Sequence, residues 1–190
     1  MNLHDPAVKL TSADEALQLL KEGNERFTSG ALSAKDNYPE VRAALTGGQQ
    51  PFAIVLCCAD SRVAPEIYFD MKLGDIFVIR NAGNVVDEVV LGSIEYGAEH
   101  LGSPLVVVLG HTSCGAVTAA CQGGDLPENI EAIVKKIKPS VSDGAAVNDV
   151  ARVNAIAMAD QIKADEIIKH LGTRVVAAVY DIETGKVNWV

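Results

Sequence analysis

A chain of 190 residues, 48% of them hydrophobic, can bury one substantial core but is short for two ordinary enzyme domains. A formal net charge of −9 at pH 7, with no Lys/Arg-rich run, excludes a phosphate-backbone binder and hence nucleic acid as a partner. The longest apolar runs, 104–109 and 175–179, fall far short of the roughly 20 residues that span a bilayer, and the charged N-terminal stretch lacks the pattern of a secretory leader, so a cytoplasmic protein with no membrane partner is expected.

Ser12 with Glu15 reads as a capping box, and Ala16, Leu17, Leu20 and Phe27 recur at helical spacing up to Gly30. The polar connection from Gly30 through Tyr38 and Pro39 sets this helix apart. Residues 1–38 are therefore expected as an N-terminal helical arm able to pack on a neighbour, with residues 39–190 forming the core. From Pro51 to Cys58 the run is nearly all apolar, as in a strand buried on both faces of a parallel sheet. A short helical stretch at 65–71 leads to a second strand, Ile76–Arg80, and a periodic segment at 87–101 leads to a third, Pro104–Gly110. A long helical stretch from Ala146 to Leu171, closed by Gly172, precedes a fourth strand, Arg174–Asp181. A turn at Glu183–Gly185 returns an edge strand, Lys186–Val190. The alternation predicts an α/β fold: a central, mostly parallel sheet of about four strands plus an edge strand, flanked by helices, with ligands beyond the carboxyl ends of strands where the winding reverses.

Chemistry concentrates at two such ends. Cys58, Asp60, Ser61 and Arg62 follow the first strand, and His111 and Cys114 follow the third. His111 and Cys114 are three apart across a strand-to-helix turn, and Cys58 joins them if the first and third strands are neighbours. Two thiolates and an imidazole suit Zn²⁺, and three protein ligands leave a fourth tetrahedral position for water or a carboxylate. A metal so held makes hydroxide available near neutral pH, although two thiolates acidify the water less than two imidazoles. Arg62 can hold the Asp60 carboxylate through its guanidinium fork. Clamped, Asp60 orients the zinc-bound hydroxide; released, it becomes a fourth ligand in a closed, inactive state. Because aspartate and hydroxide compete for one position, activity is expected to climb with pH. Cys57 and Cys121 read as small core residues, and His4, His100 and His170 as surface residues.

The Cys-x-Asp-Ser-Arg and His-x-x-Cys pair, in this order and with residues 63–110 between them, resembles the signature of the β-class carbonic anhydrases. The stretches 47–51, 80–84 and 94–96 are similar as well. This resemblance implies reversible hydration of carbon dioxide to bicarbonate and a proton, with one Zn²⁺ per subunit on Cys58, His111 and Cys114 and with Asp60 and Arg62 as the orienting dyad. It further implies a substrate pocket lined by Gln49, Phe77, Tyr96 and Gly115, and a homodimer or homotetramer. A subset of the family has a second, inhibitory bicarbonate site built from Trp, Arg and Tyr; Arg80 and Tyr180 match two of these, but Val55 stands where the Trp is expected. Hydrolysis of carbon disulfide or carbonyl sulfide on the same site is an alternative, as is a non-catalytic structural-zinc module.

Overall fold

The computed structural model describes residues 10, 12–34 and 38–190. His4 and part of the connection after the first helix lie outside the described residues. Four strands run parallel: β1 (Ala53–Cys58), β2 (Ile76–Asn81), β3 (Leu105–His111) and β4 (Arg174–Tyr180). A short β5 (Val187–Trp189) returns antiparallel along β4. The spatial order is β2-β1-β3-β4-β5. The chain steps outward from β1 to β2 and then crosses to the other flank of β1, so the winding reverses between β1 and β3 and their carboxyl ends open a crevice.

Both strands beside that crevice are buried at every position, which accounts for their unbroken apolar runs. Pleating divides them between two cores. Ile54, Leu56, Val106 and Val108 face the first, whereas Val55, Cys57, Val107 and Leu109 face the second. Helices α4 (Glu88–Glu99), α5 (Gly115–Gln122), α6 (Glu128–Ile137), α7 (Val147–Lys163) and α8 (Glu166–Leu171) contribute to the first core, and α1 (Ala13–Thr28) and α3 (Pro65–Tyr68) to the second. The remaining helix, α2 (Tyr38–Ala44), buries no side chain.

Two expectations are corrected. The single helix expected over 146–171 is divided at Ala164, because the Asp165 carboxylate accepts the N–H groups of Ile167 and Ile168 and starts a new helix. Gly172, at φ 65°, closes it as expected. The helix expected to stand apart, α1, lies on the sheet of its own chain: Ala16, Leu17 and Leu20 are buried against a sheet face that the four-residue α3 leaves largely uncovered. Gly23 permits this approach, since a Cβ there would stand 1.8 Å from the carbonyl oxygen of Phe69. At the next residue, the buried Asn24 amide donates to the carbonyls of Tyr68 and Gly185 and accepts from the N–H of Val187, tying α1 to the sheet edge.

Candidate metal centre

Cys58 ends β1, His111 ends β3, and Cys114 is the N-cap of α5. Because β1 and β3 are neighbours, their last residues meet. Ser113, at φ 56°, turns the chain sharply so that Cys114 returns toward both. The ligand atoms of the three residues lie within 4.8 Å of one another, all three are buried, and no other such group of His, Cys, Asp and Glu occurs among the described residues.

The chemistry of these atoms fits a cation. His111 is wholly buried, and its Nδ1 lies 2.9 Å from the Thr112 carbonyl. A carbonyl only accepts, so Nδ1 carries the proton and Nε2 presents its lone pair to the two sulfurs. That nitrogen has no hydrogen-bond partner, which costs free energy until something binds it. The two sulfurs are tuned in opposite directions. Cys58 is drawn toward thiolate by the Cys114 thiol first, against its burial, and also by the N–H of Gly83, whose nitrogen is 3.3 Å from Cys58 Sγ. Cys114 is correspondingly held as the thiol, although the N–H groups of Ala116 and Val117 at the start of α5 favour its thiolate. Two buried sulfurs beside an unpaired imidazole form a donor set that a thiophilic divalent cation binds with release of thiol protons. Cys57 points into the second core, where burial pushes its thiol up to about 12, so it is no ligand. Cys121 on α5 is partly buried and packs against the first core.

Asp60 lies beside this group with both carboxylate oxygens held by Arg62 and one acceptor position of Oδ2 left open. Arg62 donates its backbone N–H and Nε to Oδ1, both at 2.9 Å, and Nη2 to Oδ2 at 2.7 Å. Nη2 also reaches the Ser113 carbonyl at 3.4 Å, linking the two ligand loops. The Arg62 hydrogen bonds, ahead of every other cause, hold the Asp60 carboxyl well below the usual carboxylate range. Its Oδ2 is 4.0 Å from His111 Nε2. Arg80 fixes the same loop from β2, donating Nε to the Cys58 carbonyl and Nη2 to the Asp60 carbonyl. Val55 is wholly buried in the second core, and the Tyr180 ring stacks on Tyr68 at 4.3 Å.

Three residues in contact with this layer had not been singled out from the sequence. Besides Gly83, the Asn148 Oδ1 accepts the N–H of Ser113 at 2.9 Å, and the Asn154 Nδ2 donates to the Gly83 carbonyl at 3.0 Å. Only the Arg80-Asn81-Ala82-Gly83-Asn84 stretch gave a signal, as a similarity with no role assigned to Gly83.

The expected pocket residues are placed apart. Gly115 follows Cys114 directly at the start of α5. Gln49 is exposed ahead of β1, and Phe77 pairs with Ile54 near the amino end of the sheet. Tyr96 on α4, about half exposed, lies 6.3 Å from the Phe77 ring. Cys58 instead pairs with Asn81, so Phe77 and Tyr96 sit away from the metal group of their own chain. His100 and His170 are exposed.

The model of the family described as carbonic anhydrase matches residues 53–187, which contain every residue of the metal group. Carbonic anhydrase 2 of Mycobacterium tuberculosis is 43% identical over 93% of this chain and 92% of its own length. A carbonic anhydrase of Mycolicibacterium smegmatis is 41% identical over 91% of each chain. Among solved structures, one described as a tetrameric β-carbonic anhydrase of Sordaria macrospora superposes with a TM-score of 0.74 at 26% identity, covering 80% of this chain and 86% of that one. On the family match, these identities and the shared fold, the chain belongs to the β-class carbonic anhydrases.

Proposed function

We propose that this enzyme catalyses the reversible hydration of carbon dioxide to bicarbonate and a proton, with one Zn²⁺ per subunit held by Cys58 Sγ, His111 Nε2 and Cys114 Sγ. The observation that carries the reading is the buried, unpartnered His111 Nε2 between two sulfurs, with a clamped carboxylate 4.0 Å away. When bound in such a donor set, zinc supplies an activated water at neutral pH.

The chain's own residues do the rest. Arg62 occupies both oxygens of Asp60, fixing it as an acceptor at a set place beside the ligands. An acceptor so placed would accept a hydrogen bond from the attacking oxygen and turn that oxygen's lone pair toward carbon dioxide. Released from Arg62, Asp60 would enter the coordination sphere itself and close the site, so the clamp sets the balance between open and closed forms. Gln49, Phe77 and Tyr96, with Gly115, form the pocket wall in this reading. Because Phe77 and Tyr96 lie away from the metal group of their own chain, in this reading they line the site of a second copy in a homodimer or homotetramer. Residues 39–190 carry the whole site. No described helix is long and apolar enough to cross a membrane, and we place the enzyme in the cytoplasm.

The reading is tested by offering the zinc-loaded protein carbon dioxide, carbonyl sulfide and carbon disulfide in parallel. Fast turnover of carbon dioxide alone supports it. Turnover of the sulfur compounds without carbon dioxide hydration, or full zinc occupancy with no turnover, replaces it with a hydrolase or a structural-zinc module.

A further inference from the structure

Asn154 occupies the middle of α7 with no exposed surface, among residues of the first core. An amide in such a place is costly unless both its ends are satisfied, yet its Oδ1 has no hydrogen-bond partner. Leucine, with the same branching and the same number of side-chain heavy atoms, would avoid that cost. What the amide adds is one bond, from Nδ2 to the Gly83 carbonyl.

Gly83 is the residue whose N–H lies on Cys58 Sγ. Its φ is +76°, and a Cβ there would stand 2.7 Å from Ile137 Cδ1 and 3.1 Å from Ala116 Cβ, so the position is closed to a side chain. The turn is therefore held by its neighbours. At its rim the Asn81 amide donates to the Val85 carbonyl and accepts the Val85 N–H. From beneath, Asn154 holds the Gly83 carbonyl. The two polar backbone groups of one glycine are thus fixed between a metal-ligating sulfur and a buried amide.

We propose that Asn154 is a positioning residue of the metal centre: through Gly83 it aims an N–H at the Cys58 sulfur and so sets how that ligand binds zinc. The proposal rests on the zinc reading above. An N–H donated to a thiolate withdraws charge from sulfur and fixes the direction of its remaining lone pairs. Groups bonded directly to a metal ligand, as the Gly83 N–H is, are worth about 10–100-fold in affinity, which sets the upper bound for Asn154 one bond further out.

The test compares wild type with Asn154→Leu and Asn154→Ala. Zinc affinity is measured by chelator competition, the thiolate-to-metal charge-transfer bands are recorded on the Co²⁺-substituted proteins, and the metal-free proteins are melted. We expect both metal-free variants to melt cooperatively and both to bind zinc more weakly than wild type, by up to about 10–100-fold, with shifted charge-transfer bands. A folded variant with wild-type affinity and bands overturns the proposal. A direct measurement needs no variant: in ¹¹³Cd-loaded wild type labelled with ¹⁵N-glycine, the Gly83 amide proton is expected to couple to cadmium through Cys58, and absence of that coupling also overturns it. Failure of wild type to bind zinc at all would instead remove the zinc reading, before any variant is compared.

Discussion

Replacing Arg62 with alanine removes Nε and Nη2, two of the three N–H donors on the Asp60 carboxylate, and leaves only the backbone N–H on Oδ1. The carboxylate is then free to pivot about that bond. Asp60 Oδ2 starts 4.0 Å from His111 Nε2, whereas two ligand atoms each roughly 2 Å from one tetrahedral zinc lie roughly 3.3 Å apart. In the proposed mechanism a shift of about 1 Å thus suffices to convert an orienting acceptor into a competing ligand, and misplacement on that scale costs on the order of 10²-fold. We expect kcat/KM for carbon dioxide, measured by stopped flow, to fall about 10²-fold with zinc content unchanged. The Arg62 side chain is 52% exposed, so guanidinium ions from solution have access to the freed carboxylate and are expected to restore part of the activity, with no effect on wild type. Activity of Arg62→Ala within about threefold of wild type, under 1 kcal/mol of barrier, would refute the clamp; loss of zinc along with activity would show a structural role instead.

Asn24→Ala strands the Tyr68 and Gly185 carbonyls and the Val187 N–H; at about 1 kcal/mol each where water can reach the sheet edge, the sum is about 3 kcal/mol. Thermal melting should fall by roughly 6–12 °C, and an unchanged midpoint would mean that α1 is not anchored there. Asp60 has a depressed carboxyl, so its contribution to stability is present above the ordinary carboxylate value and is lost only as pH falls below it. The melting difference between wild type and Asp60→Asn should therefore be no smaller at pH 5 than at pH 8 and should shrink only below about pH 4; collapse between pH 8 and pH 5 would contradict the clamp. Cys57, buried and pushed up to about 12, should resist a thiol reagent at pH 8 in the native zinc protein while the partly exposed Cys121 reacts, a pattern that peptide mapping reads directly. Modification of Cys57 before unfolding would show that the second core is open.

Much of this architecture is legible in the chain because burial on both faces leaves unbroken apolar runs. The four parallel strands were read that way, and the two motifs at the ends of β1 and β3 identified the metal group. What escaped was governed by contacts distant in sequence or by weak local patterns. Gly115–Gln122 is built largely of small residues, which carry little periodicity, although α6 does run from an acidic first turn to a basic last turn with Val134 and Ile137 buried, a signal that was available. The break at Ala164 hides inside a continuous run of good helix formers, and only the capping carboxylate of Asp165 marks it. The seat of α1 depends on Gly23 and Asn24, whose partners lie beyond Phe52. Asn148 and Asn154 look like ordinary helix polar residues until folding brings them to Ser113 and Gly83.

The most direct test of the account is carbon dioxide hydration by stopped flow from mildly acidic to alkaline pH, for the protein as purified, after zinc removal, after zinc restoration, and for Asp60→Ala. The account predicts fast turnover that rises with pH, disappears with the metal, returns with it, and is largely lost in the variant at full zinc occupancy. Zinc bound at Cys58, His111 and Cys114 with no hydration at any pH would contradict it.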